Sequence, residues 1–517
     1  MAYATGIGFG KRAAMALVLG LATATADPAL AASPKVAVRE WRQAHEKEIV
    51  GDFATLLAKP NVATTLADVD ANAAYISDLL TQRGFKVQTL RAAPGTPASV
   101  YAELKTPGAK RTVLFYAHYD GQPIGQKGWI TSPFEPAMRT ALPEAKPVDW
   151  KAATGPLNPD WRLYARSAGD DKGSIQALIS AFDALKAKGI KPSVNIKLLY
   201  EGEEEQGSAH FAELVRQNLP LLKTDLLVMG DGPMHQSGKQ MINFGNRGIV
   251  SFDATVFGPL KPLHDGHYGS WAPSPTVMVA DLVMSLRDEQ GKILIPSFYD
   301  DVTPVSVATQ AALDAMPPVE PDLKKAMGLG RNVGGPRLAD GYLKPTLNIR
   351  AINAGDSGPQ AANAIATEGR ISVDFRLAPG ETPAHVKEMT EAYLVQKGWF
   401  IVREVPDLAT RLAHPKVIKL DWDEGGAIAT MTALDLPASK AVSASIGRTV
   451  GYDPIRLPIV GASSGMADIV GQLQAPMAGV SIANYDDNQH AQNENLRIGN
   501  LWDGIEVYAG LLADLNW

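Results

Sequence analysis

The chain has 517 residues, enough for two or more domains, and its 45% hydrophobic and 20% charged content are ordinary for a globular protein. A formal net charge of −6 and the lack of a basic stripe argue against a nucleic-acid-binding protein. The sequence contains no cysteine, which excludes disulfides, thiolate metal ligands and a cysteine nucleophile.

The N-terminus has the pattern of an export signal. Lys11 and Arg12 supply positive charge, residues 13–24 form a short apolar stretch, and residues 29–31 read Ala-Leu-Ala, an A-x-A cleavage site. The apolar stretch is too short to cross a bilayer. We therefore predict a signal peptide at 1–31 and a mature chain without a membrane anchor, exported to the periplasm or secreted.

The residues that follow predict helices alternating with strands. Hydrophobic periodicity predicts helices at 36–58, 66–83, 173–188 and 209–217, and strands at 86–91, 100–104, 112–117, 193–200 and 225–229. Residues 129–161 are rich in Pro and Trp and lack periodicity, which predicts a long loop. This order of elements predicts a mostly parallel sheet with helices on both faces.

The pattern changes at residue 249. Strands are predicted at 249–257 and 371–377 and helices at 275–286 and 382–397, which indicates a small α+β domain with one exposed sheet face. Helices at 437–450 and 498–515, with an apolar strand in 475–483, then complete the first sheet. We therefore predict a first domain made of 36–248 and 411–517, with a second domain inserted at 249–410.

Residues 201–205 hold four carboxylates directly after a predicted strand. Two carboxylates about 4 Å apart repel by roughly 1 kcal/mol in water and by about 4 kcal/mol at an effective dielectric constant of 20. A fold tolerates such a cluster at a strand end if cations bind there or if one acid stays protonated. A solvated acidic loop is the alternative that this stretch alone leaves open.

Other acids and histidines also stand where predicted strands end or loops begin. His118 is followed by Asp120, Asp170 precedes a helix, Asp231 follows a buried strand, and His490 lies in a polar stretch near the C-terminus. Taken singly, each is also explained as a helix cap or turn residue. Taken together they offer nitrogen and oxygen ligands at the edge of the sheet where open α/β folds place their sites, and such ligands suit zinc or manganese.

With these motifs the chain resembles the M20 family of metallopeptidases, especially its carnosinase-like dipeptidase branch, over about residues 40–515. The motifs that carry the resemblance are His118-Tyr-Asp120-Gly-Gln-Pro, Gly169-Asp170-Asp171-Lys-Gly, Glu201-Gly-Glu-Glu204-Glu205-Gln-Gly-Ser, Gly230-Asp231-Gly232, His490-Ala-Gln-Asn-Glu494, Arg247-Gly248, Leu263-His264 and Phe375-Arg376-Leu. The resemblance implies a zinc-peptidase-like α/β catalytic domain with an inserted α+β, ferredoxin-like domain that serves as lid and dimerisation domain.

The resemblance also implies that the cofactors are two divalent metal ions, zinc in the first place and manganese or cobalt as alternatives. It assigns His118 and Asp231 to one ion and Glu205 and His490 to the other. Asp170 would bridge both ions.

Further roles follow from the same resemblance. Asp120 would orient the neighbouring histidine ligand, and Glu204, which stands beside a ligand but is surplus to coordination, would be the general base. His264 would reach the scissile carbonyl across a dimer, and Arg376 would bind the substrate carboxylate. Asn363 occupies a substrate-binding position, although Ile-Ala follows it where the family has Ile-Pro. A buried structural histidine and a solvated surface arginine are the alternatives for positions 264 and 376.

The residues and the resemblance together predict an exported two-metal hydrolase that cleaves peptide bonds in dipeptides or short peptides with a free carboxylate. The resemblance also implies a homodimer through the inserted domain. An N-acyl-amino-acid deacylase on the same fold is the alternative. A non-catalytic binding protein would lack a ligand or the base, and a phosphate-ester hydrolase would need basic loops, neither of which is observed. An insertion at 139–161 and the Ser167-Ala168 pair depart from the family near the expected cleft.

Overall fold

The computed structural model describes residues 34–125, 127–141, 143–463 and 466–517. The signal peptide predicted at 1–31 lies outside these residues, so it stays a prediction. None of the described helices is both long and apolar enough to cross a membrane.

Helices account for most of the long elements. They are α1 (Pro34–Leu57), α2 (Leu66–Gln82), α3 (Lys172–Ala187), α4 (Phe211–Gln217), α5 (Leu219–Leu222), α6 (Asp265–Tyr268), α7 (Pro275–Leu286), α8 (Val307–Asp314), α9 (Glu320–Ala326), α10 (Pro383–Gln396), α11 (Leu408–Ala413), α12 (Pro437–Val450), α13 (Met466–Leu473) and α14 (Ile498–Asp514). The predicted helices are found within a few residues of their expected bounds.

The strands are shorter. They are β1 (Lys86–Leu90), β2 (Ser99–Leu104), β3 (Thr112–His118), β4 (Ala137–Arg139), β5 (Arg162–Tyr164), β6 (Asn195–Glu201), β7 (Leu226–Met229), β8 (Met241–Asn243), β9 (Gly245–Asn246), β10 (Gly248–Phe257), β11 (Leu263–His264), β12 (Thr346–Asn353), β13 (Ala364–Ile365), β14 (Glu368–Leu377), β15 (Phe400–Val402), β16 (Val417–Trp422), β17 (Thr430–Met431), β18 (Ile455–Leu457), β19 (Met477–Gly479) and β20 (Asn495–Arg497).

Eight of the described strands form one large mixed sheet, in the order β1-β2-β6-β3-β7-β19-β8-β18. At its centre β6, β3 and β7 lie side by side and run parallel, so their carboxyl ends meet at one edge. Alternate residues of β3 enter different cores: Val113 and Phe115 pack with α1, α3 and α14, whereas Leu114 and Tyr116 pack with α4. Helices therefore cover both faces, which confirms the predicted fold class.

Five other described strands form the second sheet, in the order β12-β14-β10-β16-β15. The predicted alternation is found in β14, where Ile371, Val373 and Phe375 enter a separate core that also holds residues of α7 and α10. The sheet extends to the end of β16, beyond residue 410, because β16 pairs with β10. Helix α8, although predicted within the insert, packs instead against β18 of the first sheet. The domain bounds themselves stay a prediction.

The stretch predicted as a long loop contains a strand, so the prediction is wrong for 137–139. β4 pairs with β5, and β5 pairs with β20, giving a sheet of three very short strands. Strands of three residues are too short to show an alternating pattern, which is why the sequence does not reveal them. This small sheet joins the segment before Asp170 to the segment after His490.

Candidate metal centre

The ends of the three central parallel strands carry the first group of candidate residues. His118 is the last residue of β3, Glu204 and Glu205 lie in a single 3-10 turn that follows β6, and Asp231 lies two residues beyond β7. Because β6, β3 and β7 are parallel neighbours, these side chains come to the same edge of the sheet.

Two further residues reach this edge from loops. Asp170 precedes α3, and His490 lies between β19 and β20. His118 Nε2 lies 2.8 Å from Asp170 Oδ1, whereas His490 Nε2 lies 3.1 Å from Asp170 Oδ2 and 3.2 Å from Glu205 Oε2. The two oxygens of one carboxylate thus face two different histidines.

These contacts define two ligand sets that share Asp170. The candidate ligand atoms of His118, Asp170 and Asp231 lie within 4.8 Å of one another, and so do those of Asp170, Glu205 and His490. Imidazoles and carboxylates at such separations fit zinc, manganese or cobalt, since all three accept mixed nitrogen and oxygen ligands. The structure therefore brings together all five residues predicted as ligands, while their binding of metal stays a prediction.

Burial and the closeness of these groups shift their pKa values. Burial raises the pKa of Glu205 to about 8 and that of Asp231 to about 7, and the negative charge of Asp170 acts in the same direction. The hydrogen bond with Asp170 raises the pKa of His490 to about 9. Burial opposes ionisation of Asp170, but hydrogen bonds from His118 and His490 outweigh it and lower the pKa of Asp170. The metal-free site thus retains protons that metal ions would displace.

Asp120 is fully buried and has two kinds of contact. Its Oδ1 lies 3.4 Å from His118 Nδ1, which is consistent with the predicted orienting role. Its two carboxylate oxygens also accept hydrogen bonds from the backbone N–H groups of Glu204 and Glu205, both at 3.1 Å. Asp120 therefore holds the turn that carries the acidic residues, a contact between distant segments that the local motif does not reveal.

Glu204 belongs to neither ligand set among the described residues. Burial raises its pKa, and the charges of Asp170 and Asp120 add to that effect. A carboxylate beside the ligands that is free of coordination and holds a proton more readily than usual can accept and release a proton in catalysis.

The predicted substrate residues lie on the second sheet and its flanks. His264 and Asn363 are neighbours, because β11 pairs with β13 and the carbonyl of Asn363 accepts a hydrogen bond from the next residue after His264. The His264 side chain is 57% exposed, so it is no buried structural histidine. The Arg376 guanidinium is partly buried and donates to Asp374 and Ser463. The contacts of the described residues join none of these three to the ligand sets, and their roles stay predictions.

Two amides at the site were not predicted from the sequence. Gln122 Nε2 donates to Glu205 Oε2 at 2.7 Å, and Gln489 Nε2 donates to Asp170 Oδ2 at 2.6 Å. Both residues stand within or beside the motifs quoted above, which is the signal that could have identified them. Each amide hydrogen bond helps to offset the charge of a carboxylate predicted to bind metal.

Several known peptidases are similar to this chain. A sequence profile described as peptidase family M20/M25/M40 matches residues 114–514. The Cys-Gly metallodipeptidase dug1 of Schizosaccharomyces pombe is 26% identical over 425 residues, covering 81% of this chain and 83% of the relative. The Beta-Ala-His dipeptidase of Homo sapiens is 26% identical over 435 residues, covering 81% of this chain and 78% of the relative.

Solved structures share the fold. The M20 family metallo-carboxypeptidase Sso-CP2 from Sulfolobus solfataricus has a TM-score of 0.72 at 26% identity, covering 90% of this chain and 99% of that chain. Human carnosine dipeptidase 1 has a TM-score of 0.67 at 22% identity, covering 93% and 99%, respectively. These neighbours confirm the predicted architecture.

The raised pKa values predict how metal binding depends on pH. Protons on Glu205, Asp231 and His490 compete with metal ions, so affinity should rise as pH increases from about 6 to about 9, with protons released on binding. Isothermal titration of the metal-free protein with zinc, in buffers of different ionisation enthalpy, measures both quantities. Affinity that does not change over this range would contradict the assigned ligands.

Proposed function

The chain belongs to peptidase family M20/M25/M40, and from that premise we propose that it hydrolyses the peptide bond of dipeptides or short peptides with a free carboxylate, using two divalent metal ions. The observation that carries the proposal is Asp170, whose two carboxylate oxygens face two separate ligand sets. The relatives named for Cys-Gly and Beta-Ala-His dipeptides support a dipeptide as substrate.

Zinc, manganese or cobalt bound by the two sets would polarise the scissile carbonyl and lower the pKa of water. The residues of the chain supply the remaining functions. His118 and Asp231 form one set with Asp170, and Glu205 and His490 complete the other. The ligands come from both strand ends and loops.

Glu204 is proposed as the general base. Its carboxylate lies next to the ligand at 205 but is in neither set, and burial raises its pKa, so it can take a proton from water and deliver it to the leaving nitrogen. Asp120 supports this role by accepting the backbone N–H of Glu204 and fixing the turn on which it lies.

The substrate is proposed to meet the second sheet. Arg376 can form a bidentate pair with a free carboxylate, for which a guanidinium is well suited. Its present partners, Asp374 and Ser463, keep it on the side of the sheet that faces the first domain's loop at 463. His264 and the adjacent Asn363 are exposed and available to a substrate carbonyl.

We also propose that the protein is a homodimer through its inserted domain. β12 is an edge strand of the second sheet, and an edge strand presents backbone groups with which a second copy could pair. Apolar side chains are exposed on this strand and on the helix that contacts it. Ile352 on β12 is 57% exposed, and Val277 and Met284 on α7 are 60% and 56% exposed. A second copy would cover them and bring His264 toward the partner's metal centre.

Export is proposed from the N-terminal pattern alone, since residues 1–31 lie outside the described part of the chain. N-terminal sequencing of protein recovered outside the cytoplasm should show a start after Ala31. A mature protein that retains Lys11 and Arg12 would contradict cleavage.

Replacing the base tests the mechanism. Glu204→Gln should keep its metal content but reduce kcat by roughly 10²–10⁴-fold, because the amide cannot accept the proton of water. Glu203→Gln is the matched control, since the Glu203 carboxylate pairs with His210 and belongs to neither candidate ligand set among the described residues, and it should keep most activity. Turnover at the wild-type rate in Glu204→Gln would refute the assignment.

A substrate screen tests the reaction class. The metal-reconstituted protein should hydrolyse dipeptides faster than longer peptides or N-acyl amino acids, because the Schizosaccharomyces pombe and human sequence relatives named above are dipeptidases. Hydrolysis should disappear after exhaustive chelation and return when zinc or manganese is added. Faster hydrolysis of N-acyl amino acids would favour the deacylase, and activity that survives chelation would refute the metal mechanism.

Disrupting the exposed edge tests the dimer. The double variant Met284→Asp and Ile352→Lys should be monomeric by light scattering and lose activity if His264 acts across the dimer. Leu412→Lys, at an apolar position 79% exposed on α11, is the control and should remain dimeric. A wild-type protein that is entirely monomeric would contradict both the dimer and the proposed action of His264.

A further inference from the structure

A buried acid outside the two ligand sets holds the loop that carries Asp170. Glu494 is 1% exposed, and its carboxylate accepts four hydrogen bonds. Oε2 accepts from Arg166 Nη1 and the backbone N–H of Ser167, both at 2.9 Å. Oε1 accepts from the backbone N–H groups of Gly169 and Asp170, both at 3.0 Å. One side chain therefore fixes most of the loop from 166 to 170.

The main chain of Glu494 makes the same connection. Its carbonyl accepts a hydrogen bond from Ala165 at 3.0 Å, and the next residue, Asn495, pairs with Tyr164 between β20 and β5. His490 lies only four residues earlier in the same segment. The loop of the shared ligand is thus joined directly to the loop of a ligand that belongs to one set only.

The loop needs such contacts to keep its shape. Ser167 has a φ of 63°, in the left-handed region that residues other than glycine seldom adopt. The Glu494 hydrogen bond to its N–H holds it there from one side, and Asn61 donates to its hydroxyl from the other at 2.8 Å. Burial raises the pKa of Glu494, whereas the Arg166 guanidinium lowers it and supplies a counter-charge.

We propose that Glu494 is a positioning residue that presets Asp170 to face both ligand sets, so that loss of Glu494 weakens both metal positions together. The inference rests on the metal centre proposed above. Groups that hold a metal ligand in place commonly contribute about 10–100-fold to metal affinity. An acid that only stabilised the fold would change the melting temperature and leave metal affinity unchanged.

Glu494→Gln is the variant that tests this proposal, because its amide keeps the shape of the side chain. The amide has a single acceptor oxygen, and its NH2 group faces two of the four donors. Glu46→Gln is a matched control: Glu46 is also a buried glutamate that accepts hydrogen bonds from an arginine, Arg42, and from a backbone N–H, that of Leu157. Glu46 makes these contacts with residues of α1 and of the loop before β5.

Metal affinity is measured by equilibrium dialysis of metal-free protein against zinc, with metal analysis, and by the absorption spectrum of the cobalt-loaded protein. Glu494→Gln should lower the affinity of both positions by about 10–100-fold and alter the cobalt spectrum. Glu46→Gln should bind two ions with wild-type affinity and an unchanged spectrum, even if both variants lose similar amounts of metal-free melting temperature.

Other results would overturn the proposal. Wild-type affinity in Glu494→Gln, loss at one position only, or an equal loss in Glu46→Gln would each do so while leaving the proposed function intact. A wild-type chain that binds fewer than two ions would instead remove the metal centre itself, and this inference with it. If Glu494→Gln did not fold, Glu494→Asp, which keeps the charge but is one methylene too short to reach all four donors, should show weaker binding at both positions, and unchanged binding would contradict the proposal.

Discussion

Repulsion between carboxylates in a shielded site is the constraint on which the rest of this structure depends. Asp170 and the side chain of Glu205 are each 2% exposed, and Glu204 and Asp231 lie close enough for their charges to act on one another. At a separation of about 4 Å each pair costs roughly 4 kcal/mol at an effective dielectric constant of 20. Retained protons, two histidines and two amide donors offset this repulsion in the metal-free chain, and divalent ions would offset it more fully.

The fold meets this constraint with two acids that are outside the ligand sets. Asp120 accepts the backbone N–H groups of the turn at 204–205, and Glu494 accepts those of the loop at 167–170. Each uses a buried carboxyl group to fix a segment that carries predicted ligands. Because backbone N–H groups supply the hydrogen bonds, the position of each segment is set by main-chain geometry, and the ligand side chains remain free to face metal ions.

The second sheet has its own core. Segments on either side of it in the chain pair with each other as β9 and β17, and Arg247, next to β9, donates to the carbonyls of Lys344 and Arg376. The backbone of the proposed carboxylate-binding residue is therefore anchored where the two sheets meet. This anchoring fixes the backbone of the region proposed to bind substrate relative to the segments beside the large sheet.

Local sequence pattern determined the long helices, the central strands and which acids and histidines are candidates for the site, because side-chain periodicity and motif composition are properties of neighbouring residues. The resemblance of the chain's motifs to the M20 family assigned His118, Asp170, Glu205, Asp231 and His490 as predicted ligands, and the structure brings these residues together. Tertiary structure alone decided the three-residue strands β4 and β5, the extension of the second sheet to β16, and the contacts of Asp120 and Glu494. These features depend on pairing between distant segments, such as those of Arg166 and Glu494, which lie 328 residues apart, and no local pattern records such a pairing.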